Sequence, residues 1–138
     1  MIQQAKKFMR ISVICPILNE ARFLPAWLSC IQKFADEIII CDTGSTDGSV
    51  EFLRANGIKP ILWPEKLDYK QWNTGAEGRV RNFMLDKCKG DWIVPLDADE
   101  LVDDDFIGLS KNLGREKFLI GRFVHYFFWE NFNQLRAR

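Results

Sequence analysis

Ile38-Ile39-Ile40-Cys41 is an apolar, mostly β-branched run without a polar interruption, and it limits the fold more than any other stretch. A strand with one wet face alternates apolar and polar residues. An unbroken run therefore belongs to a central strand covered on both faces, as in a parallel sheet flanked by helices. The neighbouring stretches agree. Residues 10–17, 58–63 and 91–96 read as further strands. Phe23, Leu24, Trp27, Leu28, Ile31 and Phe34 recur at helical spacing, with Pro25 in the first turn. A short helix around Val50 and Leu53 closes at Asn56-Gly57. Val80, Phe83, Met84 and Cys88 mark one face of a helix over 79–88 that Lys89-Gly90 stops, while 64–78 reads as a long mobile loop. Asp103-Asp104-Asp105 caps a helix through Phe106, Leu109 and Leu113, its charges placed at the positive end of the dipole. An aromatic strand over 117–128 comes last. Parallel strands need crossover connections, so this alternation predicts an α/β fold: a mostly parallel open sheet with helices on both faces.

A chain of 138 residues, 47% of them hydrophobic, is expected to form one domain over 1–138. Its 19 basic and 19 acidic side chains cancel, so no global field draws it to nucleic acid, and any phosphate site must be local. The four cysteines form no CxxC pair and three lie in apolar runs, which fits reduced thiols and a cytoplasmic location. The apolar run 11–15 is too short for a secretion signal and meets Pro16, and no membrane-spanning segment follows. Peripheral attachment at the inner face of a membrane is left open.

In open sheets of this kind ligands sit beyond the carboxyl ends of the strands, where the strand order reverses. With the order 3-2-1-4, that crevice lies between strands one and four. Pro16, Ile17, Leu18, Asn19 and Glu20 then face Asp97, Ala98 and Asp99, with Asp42, Gly44 and Ser45 beside them. Residues two apart on an extended chain point to one side, so Asp97 and Asp99 are expected to aim at one point. Such a pair suits Mg²⁺ or Mn²⁺, which keep one or two protein carboxylates when a phosphate supplies other ligands. An Asp-x-Asp alone fits an acidic turn equally well. Polar residues converging from three strand ends are what point to a nucleotide or phosphate site.

The segments Ile11-Ser12-Val13-Ile14-Cys15-Pro16-Ile17-Leu18-Asn19-Glu20, Ile38-Ile39-Ile40-Cys41-Asp42-Thr43-Gly44-Ser45-Thr46-Asp47-Gly48-Ser49, Arg81-Asn82-Phe83 and Gly90-Asp91-Trp92-Ile93-Val94-Pro95-Leu96-Asp97-Ala98-Asp99-Glu100 resemble, in order and spacing, the family 2 glycosyltransferases of the GT-A fold. The flavour is similar to bacterial enzymes of lipopolysaccharide core and capsule synthesis. The resemblance implies a nucleoside diphosphate sugar donor, with uridine favoured as the base, a bound Mg²⁺ or Mn²⁺, a glycan or lipid-linked acceptor, and inversion at the anomeric carbon. Carried onto this sequence, Pro16 and Leu18 line the base and ribose, and Asp42 accepts a hydrogen bond from the base. Asp97 contacts the ribose or a metal-bound water, and Asp99 ligates the metal. Arg81, or Arg79, adds a contact to phosphate.

The family typically continues well beyond its Asp-x-Asp, into a half that supplies the acceptor pocket and the carboxylate base, whereas this sequence stops at Arg138. The expectation is a truncated, donor-binding half that binds nucleotide but does not transfer sugar, completed by further chain, by a homo-oligomer or by a partner. No general base is identified; Glu77, Asp103, Asp104 and Glu130 are the acids to consider. His125 reads as a packing residue in the aromatic stretch 123–129, which is expected to promote self-association.

Other readings fare worse. Asp42-Thr43-Gly44 with Leu119-Ile120-Gly121-Arg122 echoes dimeric aspartic proteases, but that fold is nearly all β. A haloacid dehalogenase-type phosphatase carries its acidic motif on the first strand. An EF-hand needs Gly where Val102 stands and Glu where Gly108 stands. A non-catalytic nucleotide-sugar-binding module stays open, separable from an enzyme by turnover.

Overall fold

A computed structural model describes residues 9–112 and the backbone of two further strands, Tyr126–Phe128 and Leu135–Ala137. The elements run β1 (Ile11–Ile17), α1 (Leu24–Ile31), β2 (Glu37–Asp42), α2 (Ser49–Ala55), β3 (Ile61–Leu62), α3 (Tyr69–Gln71), a π-helical turn (Trp72–Ala76), α4 (Glu77–Leu85), β4 (Trp92–Pro95), α5 (Asp104–Ser110), β5 (Tyr126–Phe128) and β6 (Leu135–Ala137). Strands β1 to β4 form one parallel sheet in the order β3-β2-β1-β4, with Ser12 beside Glu37, Ile17 beside Asp42 and Ile11 beside Trp92. The expected order, and the switch point between β1 and β4, are therefore present.

All seven residues of β1 are buried, and alternate ones serve opposite cores. Ile11, Val13, Cys15 and Ile17 pack with Leu24, Trp27, Leu28 and Ile31 of α1, Leu53 of α2 and Ile107 of α5. Ile14, with Ile39 and Cys41 of β2, packs on Leu67, Ala76, Val80 and Met84. Helices thus cover both faces. All four cysteines are free thiols, three of them buried. Among the described residues no helix is long and apolar enough to cross a membrane.

Several boundaries differ from expectation. The stretch 64–78 is largely helical: α3, the π turn and α4 form one run that begins at Tyr69 and breaks only at Thr74 and Gly75, where the Gly75 φ is +112°. A capping box starts it, with the Asp68 carboxylate accepting from Gln71 N and the Gln71 side chain accepting from Asp68 N. The third strand shrinks to two residues. Strand β5 pairs antiparallel with β6 in a separate two-stranded sheet rather than joining the main one. Residues 117–125, with His125, and Leu113 lie outside the described residues.

Gly90 is set by more than helix termination. Its N–H donates to Ser12 Oγ at 2.8 Å, and a Cβ there would stand 2.6 Å from Ser12 N. Backbone cannot yield as a flexible side chain does. Gly90→Ala is expected to cost about 1–3 kcal/mol by forcing the connection into β4 off β1. Chemical denaturation checks this; a loss below about 0.5 kcal/mol would contradict the close approach.

Candidate functional site at the carboxyl ends of the sheet

The loops after β1 and β2 are joined by side chains. Asn19 sits at φ 58°, a left-handed conformation that Asn tolerates, and its N–H donates to Ser45 Oγ at 2.8 Å. In return Thr46 N donates to Asn19 Oδ1 at 2.7 Å. Glu20 N donates to Ser49 Oγ, and Ala21 N to Asp47 Oδ2, both at 2.9 Å. Ser49 in turn donates N–H and hydroxyl to Asp47 Oδ1. Burial raises the Asp47 carboxyl more than any single one of these bonds lowers it, but together the bonds hold it below its ordinary pKa.

Asp42 ends β2 and is 5% exposed. Its carboxylate closes an Asx turn, accepting from Gly44 N at 3.2 Å and Ser45 N at 3.1 Å. A cleft of ≈ 330 Å³ opens above this turn, with Leu18, Asn19, Gly44 and Thr46 on one side and Lys66, Leu67, Asp68 and Gln71 on the other. Gly44 has φ +119°, and a Cβ there would meet Lys66 Cγ at 2.6 Å, so the lysine stem lies directly over the glycine. Lys66, Asp68 and Gln71 were not foreseen as site residues. For Asp68 and Gln71 the signal was the Asp68-x-x-Gln71 box, which fixes where that wall begins.

On the β4 side the geometry departs from expectation. Strand β4 ends at Pro95, and Asp97 to Glu100 form a turn in which Glu100 N donates to Asp97 O and Asp97 N donates to Glu100 Oε2, both at 2.9 Å. Strand alternation therefore does not aim the two aspartates. Instead Arg81 Nη2 donates to Asp97 Oδ1 at 2.7 Å, while Asp99 is exposed and takes no hydrogen bond or ion pair among the described residues. Glu20 completes the crevice. Burial, then the negative charges of Asp99, Asp47 and Asp97, raise its carboxyl above the ordinary value. Arg81 is raised too: burial lowers it, but bonds to Asp97 and Glu77 outweigh that. Carboxylates thus outnumber cations here, which favours a divalent ion. No three His, Cys, Asp or Glu residues close on one metal position among the described residues. A hard cation there would draw on the exposed Asp99 and on the Asp97 oxygen not bonded to Arg81, with phosphate and water supplying the rest.

Residues 12–134 match the sequence profile described as "Glycosyl transferase family 2". The chain belongs to that family. This glycosyltransferase chain is 34% identical over 91 residues to the lipopolysaccharide core biosynthesis glycosyltransferase LpsC of Rhizobium meliloti, covering 66% of this chain and 31% of that protein. It is 33% identical to an uncharacterized glycosyltransferase of Haemophilus influenzae over 86% of this chain and 47% of that protein. The chain thus spans under half the length of these relatives. Glucosyl-3-phosphoglycerate synthase of Mycobacterium tuberculosis, solved with Mn²⁺ and UDP-glucose, aligns at a TM-score of 0.50 and 25% identity over 67% of this chain and 34% of that one. A Pyrobaculum calidifontis mannosyltransferase solved with GDP-mannose and Mn²⁺ shares the fold, at 0.53 and 23% identity over 78% of this chain and 33% of that one. The family and the GT-A type of fold are as the sequence implied.

Within this glycosyltransferase chain the expected site residues divide. Leu18, Asn19 and Gly44 line the cleft, Asp42 and Ser45 belong to the turn that carries Gly44, and Glu20, Asp97 and Asp99 gather at the crevice. Pro16 is buried within β1. Ile17 and Ala98 turn into the α1 core, because apolar side chains gain more there than at a wet rim. Among the described residues Arg79 reaches only Glu65, at 4.0 Å, and both are exposed. Of the acids considered as a base, Glu77 pairs with Arg81, Asp103 caps α5 through Phe106 N, and Asp104 lies in that helix's first turn. Glu130 lies outside the described residues.

Proposed function

We propose that this domain binds a nucleoside diphosphate sugar, with a uridine nucleotide favoured, through Mg²⁺ or Mn²⁺, as the donor side of an inverting glycosyltransferase acting on a glycan or lipid-linked acceptor. One observation carries the reading. The acidic crevice of Glu20, Asp97 and Asp99 opens next to the cleft of Leu18, Asn19, Gly44 and Lys66, at the switch point of a family 2 sheet. The 25% identical synthase solved with Mn²⁺ and UDP-glucose supports the choice of ligand and ion.

In this reading the base enters the cleft against Leu18. Asp42, whose carboxylate has lone pairs beyond those given to Gly44 and Ser45, accepts an N–H from the base edge. Lys66, with no ion pair among the described residues, brings its ammonium to the nucleotide from above Gly44. Asp97 Oδ2 accepts from the ribose or from a metal-bound water, and Asp99 holds the ion. The bound ion supplies neutralisation of charge building on the departing diphosphate. The acceptor base is not assigned to any residue here; relatives of more than twice the aligned length leave room for it outside these 138 residues.

Calorimetry with UDP, UDP-sugars and pyrophosphate, with and without Mn²⁺, tests the proposal. Asp42→Ala is expected to weaken UDP binding by roughly 1.5–3 kcal/mol, the worth of a hydrogen bond to a charged group, while pyrophosphate binding changes little. Equal weakening of both would make Asp42 a turn-forming residue only, and no binding of any uridine nucleotide by the wild type would end the donor reading.

A further inference from the structure

Arg79 and Arg81 stand two residues apart on α4, and their surroundings separate them. Arg79 and its partner Glu65 are each 64% exposed. The Arg81 side chain is 23% exposed and lies between two carboxylates: Nη2 donates to Asp97 Oδ1 at 2.7 Å, and Nε donates to Glu77 Oε1 at 2.8 Å, one turn back on the same helix. Both nitrogens on one edge of the guanidinium fork are thereby committed, and a two-point grip on phosphate from that edge would break bonds already made.

Asp97 needs such a partner. Because β4 has ended at Pro95, the pleat does not fix the direction of the Asp97 side chain. The turn holds its backbone through Glu100, and among the described residues Arg81 is what holds its carboxylate. From this geometry we infer that Arg81 is a positioning residue rather than a phosphate ligand: braced by Glu77, it ties down Oδ1 of Asp97 and leaves Oδ2 facing the donor. The inference rests on the donor reading given above and adds to it that Glu77 and Arg81 act only through Asp97.

A double-mutant cycle separates the two roles. Wild type, Arg81→Gln, Asp97→Asn and the double variant are titrated with UDP and Mn²⁺. Each single change is expected to weaken binding about tenfold, the scale of one charged hydrogen bond. The double variant is expected to bind within about twofold of Asp97→Asn alone, since the amide introduced there can still accept from Arg81 but no longer offers the donor a second acceptor oxygen for Arg81 to aim. A further tenfold loss in the double variant would make Arg81 a direct ligand, or a residue needed for the fold at large, and would overturn the inference. Glu77→Gln provides a second arm should Arg81→Gln not fold, because its target is 44% exposed. Removing the brace is expected to weaken binding a few-fold in the wild type and not at all beside Asp97→Asn, whereas unchanged or tighter binding in Glu77→Gln would overturn the inference. Absence of UDP binding by the wild type would overturn the donor reading and this role together. Binding by the wild type with an Arg81→Gln loss that persists beside Asp97→Asn, or with no loss in the Arg81→Gln single variant, overturns this role alone.

Discussion

Asp99→Ala is expected to make the affinity of this domain for UDP the same with and without Mn²⁺. Asp99 is the exposed carboxylate of the crevice, and it makes no hydrogen bond or ion pair among the described residues that a metal would have to break. Residues that merely support metal ligands are worth about 10–100-fold in metal affinity, so a ligand itself should cost at least ~100-fold. The fold should persist, because an exposed aspartate in a turn contributes little to packing. Calorimetric titration of UDP at fixed Mn²⁺ checks this, beside a thermal melt of each protein. An undiminished Mn²⁺ enhancement in Asp99→Ala would move the metal site elsewhere.

Trp27→Ala is expected to do the opposite: cost about 3–5 kcal/mol of stability, the usual range for a buried tryptophan, and spare the chemistry of the site. Trp27 is fully buried in α1, against the face of β1 that carries Ile11, Val13, Cys15 and Ile17. Its indole N–H has no hydrogen-bond partner among the described residues, so packing and apolar burial carry its contribution. Against a total of about 5–15 kcal/mol for a typical domain, the loss shows as a large fall in denaturant midpoint. A change below about 1 kcal/mol would mean that α1 does not anchor the sheet as described.

The two residues mark what the sequence made legible. Trp27 belonged to a helical repeat read directly from spacing, and the β-branched run around Ile39 announced a covered central strand, so a parallel sheet with helices on both faces followed. Asp99 was legible as a residue but not as a geometry. Two-residue alternation holds only while a strand lasts, and β4 stops at Pro95. The helical run from Tyr69 was missed because Asn73, Thr74 and Gly75 are turn formers, although the box that starts it was visible in Asp68 and Gln71. Arg81 could not be told from Arg79 by type or spacing, because only the folded chain shows which arginine meets Asp97. Lys66 gave no local signal, since its place depends on a glycine 22 positions earlier having no side chain.

The cross-bonded loops after β1 and β2 carry a thermodynamic consequence for any ligand. Asn19, Ser45, Asp47 and Ser49 are already held in place by one another and by neighbouring backbone. Ordering a free side chain at an interface costs about 0.5–1.5 kcal/mol. Here that ordering is accomplished during folding, so a ligand would meet side chains whose rotamers are set. Association should accordingly be limited by encounter and desolvation rather than by loop rearrangement, and amides such as those of Asn19, Glu20 and Thr46 should exchange slowly with solvent even before a ligand arrives.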